Sequence, residues 1–289
     1  MEAPRDVVRH PDDRAANTTA AEIGADLWRW ADTHGARPDR GLARRLAEVV
    51  TTIAPDLPIA GATVAARYSL WTFLVDDALD DVTVDPVALT ELAGRLTTLV
   101  RTTAATSAPA PMLDAMLAEL LAELRLANAP TLLARFTDAL CDAIDAGVEH
   151  TLRAQRIQQG HAGAPTVVDY LAVAESHVNY RSFAYLLLIL AEAPPAAVPS
   201  PRVDKALVAA SRAIRIANDL ASVDRDRAAG RLNVLLLRQV DAAGIAAFER
   251  RIDRYVRLHD DLLRDAAEAG VLRRSLHVAV AVYRVTDLR

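Results

Sequence analysis

Residues 68–81 read Tyr68-Ser69-Leu70-Trp71-Thr72-Phe73-Leu74-Val75-Asp76-Asp77-Ala78-Leu79-Asp80-Asp81. The first half is apolar and aromatic, as a buried helix would be. Four carboxylates then arrive within six residues. Asp76 and Asp80 are four apart, as are Asp77 and Asp81, and residues four apart project from one face of a helix. Asp is a poor helix former, like charges at this spacing repel, and a helix C-terminus favours cations. Two explanations stand for so unfavourable a cluster. It is an acidic helix end bathed in water, or it holds a divalent cation. Carboxylate oxygens are hard donors that suit Mg²⁺, which takes one or two of them together with phosphate oxygens and water.

A second polar stripe lies on the run Ile216-Ala217-Asn218-Asp219-Leu220-Ala221-Ser222-Val223-Asp224-Arg225-Asp226-Arg227. Asn218, Ser222 and Asp226 are spaced four and four, which stacks an amide, a hydroxyl and a carboxylate on one helical face. A core-facing stripe is normally apolar. This one is a solvated face that ends at Gly230, or it has an ionic partner.

The rest of the chain sets both stripes in an all-helical frame. Apolar residues make up 52% of 289 residues, enough for a sizeable core. Ala and Leu are abundant, whereas Gly (11) and Pro (14) are few, which favours helices. The breakers gather at Thr33–Pro38, Ala54–Pro58, Ala108–Pro111, Gln159–Pro165 and Pro194–Pro201. The segments between them are longer than strands usually run. Met112, Met116, Leu120 and Leu124 form one core-type stripe, and Leu207, Ile214, Ala217 and Leu220 form part of another. The expectation is a polar, mobile tail over residues 1–18, then a single α-helical domain over 19–289 with about ten helices.

Charge and cysteine usage exclude several classes. A net charge of −5 argues against a nucleic-acid partner. Of 33 basic residues only Lys205 is a lysine, a bias that fits a GC-rich genome. Cys141 is the sole cysteine, so no internal disulfide forms, and its apolar setting reads as an inert core thiol. The first twenty residues hold no apolar leader. The apolar run around Leu186–Leu190 spans about ten residues where a membrane span needs ~20, so a soluble cytoplasmic protein is expected.

Taken together, the two stripes resemble the metal motifs of bacterial class I terpene synthases. Asp76-Asp77-Ala78-Leu79-Asp80, preceded by Phe73, is similar to that family's Asp-Asp-x-x-Asp motif. Asn218-Asp219-Leu220-x-Ser222, with Asp226 where Glu is usual, resembles its second signature. Arg225, Gly230 and Asn233 match the continuation, and the 142-residue separation of Asp76 from Asn218 suits the family. The resemblance implies an α-helical bundle around an apolar cavity, with two acidic helices across its mouth. It implies a prenyl diphosphate substrate and three Mg²⁺ ions held by Asp76, Asp80, Asn218, Ser222 and Asp226, with Asp77 in support. Arg225 would contact diphosphate or hold the acid, and Phe73 would lie on the cavity wall. A homodimer is the family's common assembly and a candidate here.

The chain also departs from the pattern. The family's diphosphate-sensing arginine, followed by a glycine at a helix break, falls in Tyr170–Arg181. There Glu175 or Ser176 takes the arginine position, and Asn179 or Tyr180 takes the glycine position. Arg181, about two turns along, is the candidate substitute, and its plainer reading is a surface arginine. His177 reads as a structural histidine. Near the C-terminus Arg284 matches the family arginine, with Val285 in place of the tyrosine. Aromatics are only 4% of the chain. A cavity lined by aliphatic residues would be roomier, which favours a C20 diphosphate over C15, with a preformed cyclic C20 diphosphate as a further option. The competing functions are a chain-elongating prenyltransferase, which needs a second Asp-rich motif, and a non-catalytic α-helical binding protein.

Overall fold

The computed structural model describes residues 11–102, 110–191, 199–237, 242–267 and 269–285, with backbone alone for 11–17. Eleven helices account for nearly all of them: α1 (Pro11–Thr33), α2 (Arg40–Ile53), α3 (Ile59–Leu79), α4 (Pro86–Arg101), α5 (Met112–Leu126), α6 (Pro130–Gln158), α7 (Val167–His177), α8 (Tyr180–Leu190), α9 (Pro201–Ala229), α10 (Ala242–Leu262) and α11 (Ala269–Val285). Of the tail expected over 1–18, residues 1–10 lie outside the described residues, and from Pro11 the backbone is α1. No strand occurs among the described residues. No helix among them is long and apolar enough to cross a membrane.

Local chemistry explains five of the helix starts. Asp39 and Asp85 cap α2 and α4 by accepting from the backbone amides of Leu42 and Val87. Proline opens α4, α6 and α9, where its missing N–H costs nothing. Thr166 caps α7, accepting from the Asp169 amide and donating to the Asp169 carboxylate. Gly230 ends α9 at φ 69°, a left-handed conformation that glycine adopts without a Cβ penalty. α3 is apolar on nearly every side, as befits a helix buried on all faces. It packs against α1, α2, α5, α6 and α8, and carries Tyr68, Leu70 and Trp71 fully into the core. α6 and α9, 29 residues each and therefore ~43 Å long, run past it and reach the cleft described below. On the far side Arg67 of α3 ties α1 to α5 through Asp26 (2.9 Å) and Glu123 (3.1 Å). The core stripe on α5 is as expected, with Met116, Leu120 and Leu124 buried, and Cys141 is a buried free thiol.

Candidate active-site cleft

α3 delivers its carboxylates where the helix runs out. Asp80 is the C-cap residue, its amide bonded back to the Asp76 carbonyl at 2.8 Å. Asp76 and Asp80 therefore stay one turn apart and both line a cleft, floored by Trp71, Leu140, Ile144 and Leu232. The enclosed volume of the cleft is about 110 Å³, below the ~300–1,000 Å³ of typical small-molecule sites. The stripe on α9 brings Asn218, Arg225 and Asp226 to the same cleft. The two acidic helices thus meet over one apolar floor.

The α9 side is held by a loop that folds back on it. After Gly230 the chain returns so that Asn233 Nδ2 donates to Asp226 Oδ2 at 2.9 Å and to the Asp219 carbonyl at 2.8 Å. The Ser222 hydroxyl donates to the same Asp226 oxygen at 2.6 Å. Ser222 is therefore buried beside Asp226 and outside the cleft lining, and its oxygen also accepts from Asn233 Nδ2 at 3.5 Å. Deeper still, Asp219 accepts from Tyr170 Oη (2.7 Å) and the Val234 amide (3.1 Å), and pairs with Arg215 (2.9 Å). Burial works against the Arg215 guanidinium, but Asp219 together with Tyr170, Asp80 and Asp226 outweighs it and holds the group charged.

Across the cleft His177, at the end of α7, faces the α3 carboxylates. Its Nε2 is 3.2 Å from Asp76 Oδ1 and 3.2 Å from Asp80 Oδ1. Burial alone would depress its imidazolium, yet the two carboxylates push it up to about 9. Burial, then Asp76, push Asp80 upward, and the groups that favour its charged form, His177 first and then His150, together leave it below its ordinary value. Neighbouring His150 is held well below its ordinary value, first by burial and then by His177 and Arg215. Arg231 closes the lip, its Nε donating to the Asp80 carbonyl at 3.2 Å and its Nη1 3.8 Å from Asp80 Oδ2.

The donors fit Mg²⁺. Asp76, Asp80, Asn218 and Asp226 present hard oxygens to one cleft, and Asp80 Oδ1 is buried with no hydrogen-bond partner.

The expected residues do not all gather there. Phe73 and Asn179 line the cleft, whereas Asp77 is exposed and outside the lining. Asn179 is the break between α7 and α8, at φ 55°, so it takes the position left between Asn179 and Tyr180 in the sequence. Its Nδ2 donates to Tyr68 Oη at 3.1 Å, and the Ser182 hydroxyl donates to its Oδ1. Tyr180 is buried elsewhere, bonded to the Leu272 carbonyl. Arg181 points to Asp142 (3.4 Å), because α8 starts a new axis after the break. Arg284 pairs with Glu249 (3.1 Å) and Asp253 (2.7 Å) of α10, while its neighbour Tyr283 lines the cleft. Glu175, at the expected arginine position, is paired with Arg212. The cleft residues not singled out for the site from sequence include His150, His177, Arg215, Arg231 and Tyr283. Only Arg215 carried a local signal, standing four residues before Asp219 on α9.

Comparison with known proteins follows the same geometry. The family profile described as "Terpene synthase family 2, C-terminal metal binding" matches residues 67–265. No curated protein sequence matches. Among solved structures, the fold is similar to linalool/nerolidol synthase from Streptomyces clavuligerus in complex with 2-fluorogeranyl diphosphate. That pair shares 19% identity over 92% of this chain and 96% of the other, with a TM-score of 0.74. It is also similar to 2-methylisoborneol synthase from Streptomyces coelicolor A3(2) in complex with Mg²⁺ and 2-fluoroneryl diphosphate, at 20% identity, 98% and 94% coverage and a TM-score of 0.72. The SVS_A2 protein from ancestral sequence reconstruction superposes at a TM-score of 0.73, with 19% identity over 92% of this chain and 84% of that one.

Proposed function

This chain belongs to terpene synthase family 2, and from that membership we propose that it ionises a linear prenyl diphosphate with Mg²⁺ and cyclises the resulting carbocation. The observation that carries the proposal is the meeting of the Asp76/Asp80 and Asn218/Asp226 lips over one apolar floor. Asp76 and Asp80 hold cation on one side, and Asn218, Ser222 and Asp226 hold it on the other, three ions in all. Lewis-acid stabilisation of the departing diphosphate is the chemistry Mg²⁺ supplies there when bound. Arg225 and Arg231 bind the same diphosphate through charge-assisted hydrogen bonds. Arg215, locked to Asp219, adds positive potential from behind the lip.

Below the lips the floor excludes water from a reactive cation. Trp71, Phe73 and Tyr283 offer aromatic faces, each worth ~0.5–2 kcal/mol to a nearby positive charge. The remaining floor is mostly aliphatic, which supports geranylgeranyl diphosphate (C20) ahead of farnesyl diphosphate (C15). The second lip is an Asn/Ser/Asp set and not an Asp-rich one, which supports cyclisation over chain elongation.

The test is incubation with Mg²⁺ and, separately, geranyl, farnesyl and geranylgeranyl diphosphates, with mass spectrometry of extracted products. A cyclic C20 hydrocarbon or alcohol is expected. Products from the C15 substrate alone overturn the chain length, and condensation with isopentenyl diphosphate overturns the reaction class. Asn218→Ala is expected to abolish turnover, and full activity in that variant removes Asn218 from the metal site.

A further inference from the structure

His177 is placed more closely than an ion pair requires. Its side chain is 3% exposed, and one nitrogen, Nε2, is equidistant at 3.2 Å from Asp76 Oδ1 and Asp80 Oδ1. The three atoms lie within 4.8 Å of one another. Neither contact closes as a well-aligned hydrogen bond: both ring nitrogens, and Asp80 Oδ1, are buried without a hydrogen-bond partner. An imidazole that served only to pair with a carboxylate would aim its N–H along one oxygen. Separations of 3.2 Å instead match neighbouring ligands of a six-coordinate ion, since two ligands at ~2.1 Å and right angles lie ~3.0 Å apart.

The wall behind the ring tells the same story. Gly147 sits within the 29-residue helix α6, where glycine costs ~1 kcal/mol relative to alanine. A Cβ there would meet Leu79 Cδ1 at 3.1 Å, His177 Cδ2 at 3.3 Å and His177 Nε2 at 3.5 Å. The missing methyl group leaves the imidazole the space it occupies beside the carboxylates.

We propose that His177, releasing its Nε2 proton to solvent as the ion binds, is a third protein ligand, through Nε2, to the cation held by Asp76 and Asp80. This rests on the cleft being a metal–diphosphate site. It makes the first lip a two-carboxylate, one-imidazole site, while the second lip stays all-oxygen. Imidazole suits Co²⁺ and Zn²⁺ better than it suits Mg²⁺. The first lip is therefore selective for nitrogen-accepting ions in a way that the second is not.

The test uses Mn²⁺ as a paramagnetic probe on the full chain with excess inorganic pyrophosphate. Electron spin-echo envelope modulation should show nitrogen coupling from one coordinated imidazole, lost in His177→Gln. Calorimetry should show Mn²⁺ binding weakened ~10–100-fold in that variant, and the Co²⁺-to-Mg²⁺ affinity ratio should fall. Gly147→Ala, which displaces the ring without removing it, should weaken Mn²⁺ binding with the helical circular dichroism unchanged. Mn²⁺ binding with no imidazole coupling, or coupling that persists in His177→Gln, overturns the ligand assignment alone. No Mn²⁺ binding even with pyrophosphate overturns the metal–diphosphate site as well. If His177→Gln does not fold, wild-type protein labelled with ¹⁵N-histidine carries the test: absence of ¹⁵N coupling overturns the assignment.

Discussion

Replacing Arg231 with glutamine separates an arginine that grips diphosphate from one that merely decorates the lip. Arg231 is 17% exposed at the cleft and bonds the Asp80 carbonyl at 3.2 Å, with Nη1 3.8 Å from Asp80 Oδ2. Two losses follow from the substitution. The bond to Asp80 is worth ~1 kcal/mol and appears as a fall of ~2–4 °C in Tm. The charge-assisted contact to diphosphate is worth ~1.5–3 kcal/mol and appears in catalysis. Converted at 1.36 kcal/mol per decade, that is a roughly 10- to 150-fold drop in kcat/KM. Arg231→Lys should recover part of it, since lysine keeps the charge without the planar fork. Arg284→Gln is the control. Its pairs with Glu249 and Asp253 are solvent-exposed, so kcat/KM should stay within ~2-fold. Steady-state release of inorganic pyrophosphate measures all three variants. If Arg231→Gln stays within ~3-fold of wild type while Arg284→Gln or Arg181→Gln collapses, the assignment of the diphosphate contact to the α9 lip is wrong.

Other substitutions probe the frame around the site. Asn179→Ala places an alanine at φ 55° and removes the bond to Tyr68, so it should cost ~2–3 kcal/mol in urea unfolding, whereas Asn179→Gly should cost ~1 kcal/mol; equal costs would refute the left-handed requirement. Tyr170→Phe strips a buried hydroxyl shared by Asp219 and Arg215 and should lose ~1–3 kcal/mol in the same assay, a loss below ~0.5 kcal/mol counting against the network. His259 is buried and, through burial first, holds its pKa below the ordinary value near 6.5. The unfolded chain then takes up a proton that the folded chain resists, so stability should fall as pH drops below ~6.5. His259→Gln should flatten that slope in melts at pH 7.5, 6.5 and 5.5, and an unchanged slope would exclude His259 as its source.

The parts of the fold and site that repeat a spacing were legible in the sequence. The i, i+4 pairs on α3 and α9 fixed which carboxylates share a face, because helical geometry alone decides that. Proline and glycine clusters located most helix ends. The break at Asn179 was harder, since it uses asparagine where glycine is the usual signal and follows α7 with only Val178 between. Arg284 and Tyr283 are adjacent in sequence but ~100° apart around α11, so one residue of register decides which enters the cleft. His177 was legible as buried but not as part of the lip. Its place depends on Gly147, thirty positions away on another helix, leaving room for the ring. Arg231 lies beyond the helix end at Gly230, where periodicity no longer predicts direction.

The loop that returns from Gly230 to Asn233 makes the second lip a composite object. Asp226 belongs to α9, yet one of its oxygens is claimed by a side chain three residues beyond the helix cap. That arithmetic leaves no slack. A single-residue insertion or deletion between Gly230 and Asn233 would leave α9 intact while withdrawing the amide from the acid. Changes of length, tolerated at most surface loops, are here equivalent to active-site mutations, and this short interval is where the lineage of such a chain should be least free to vary.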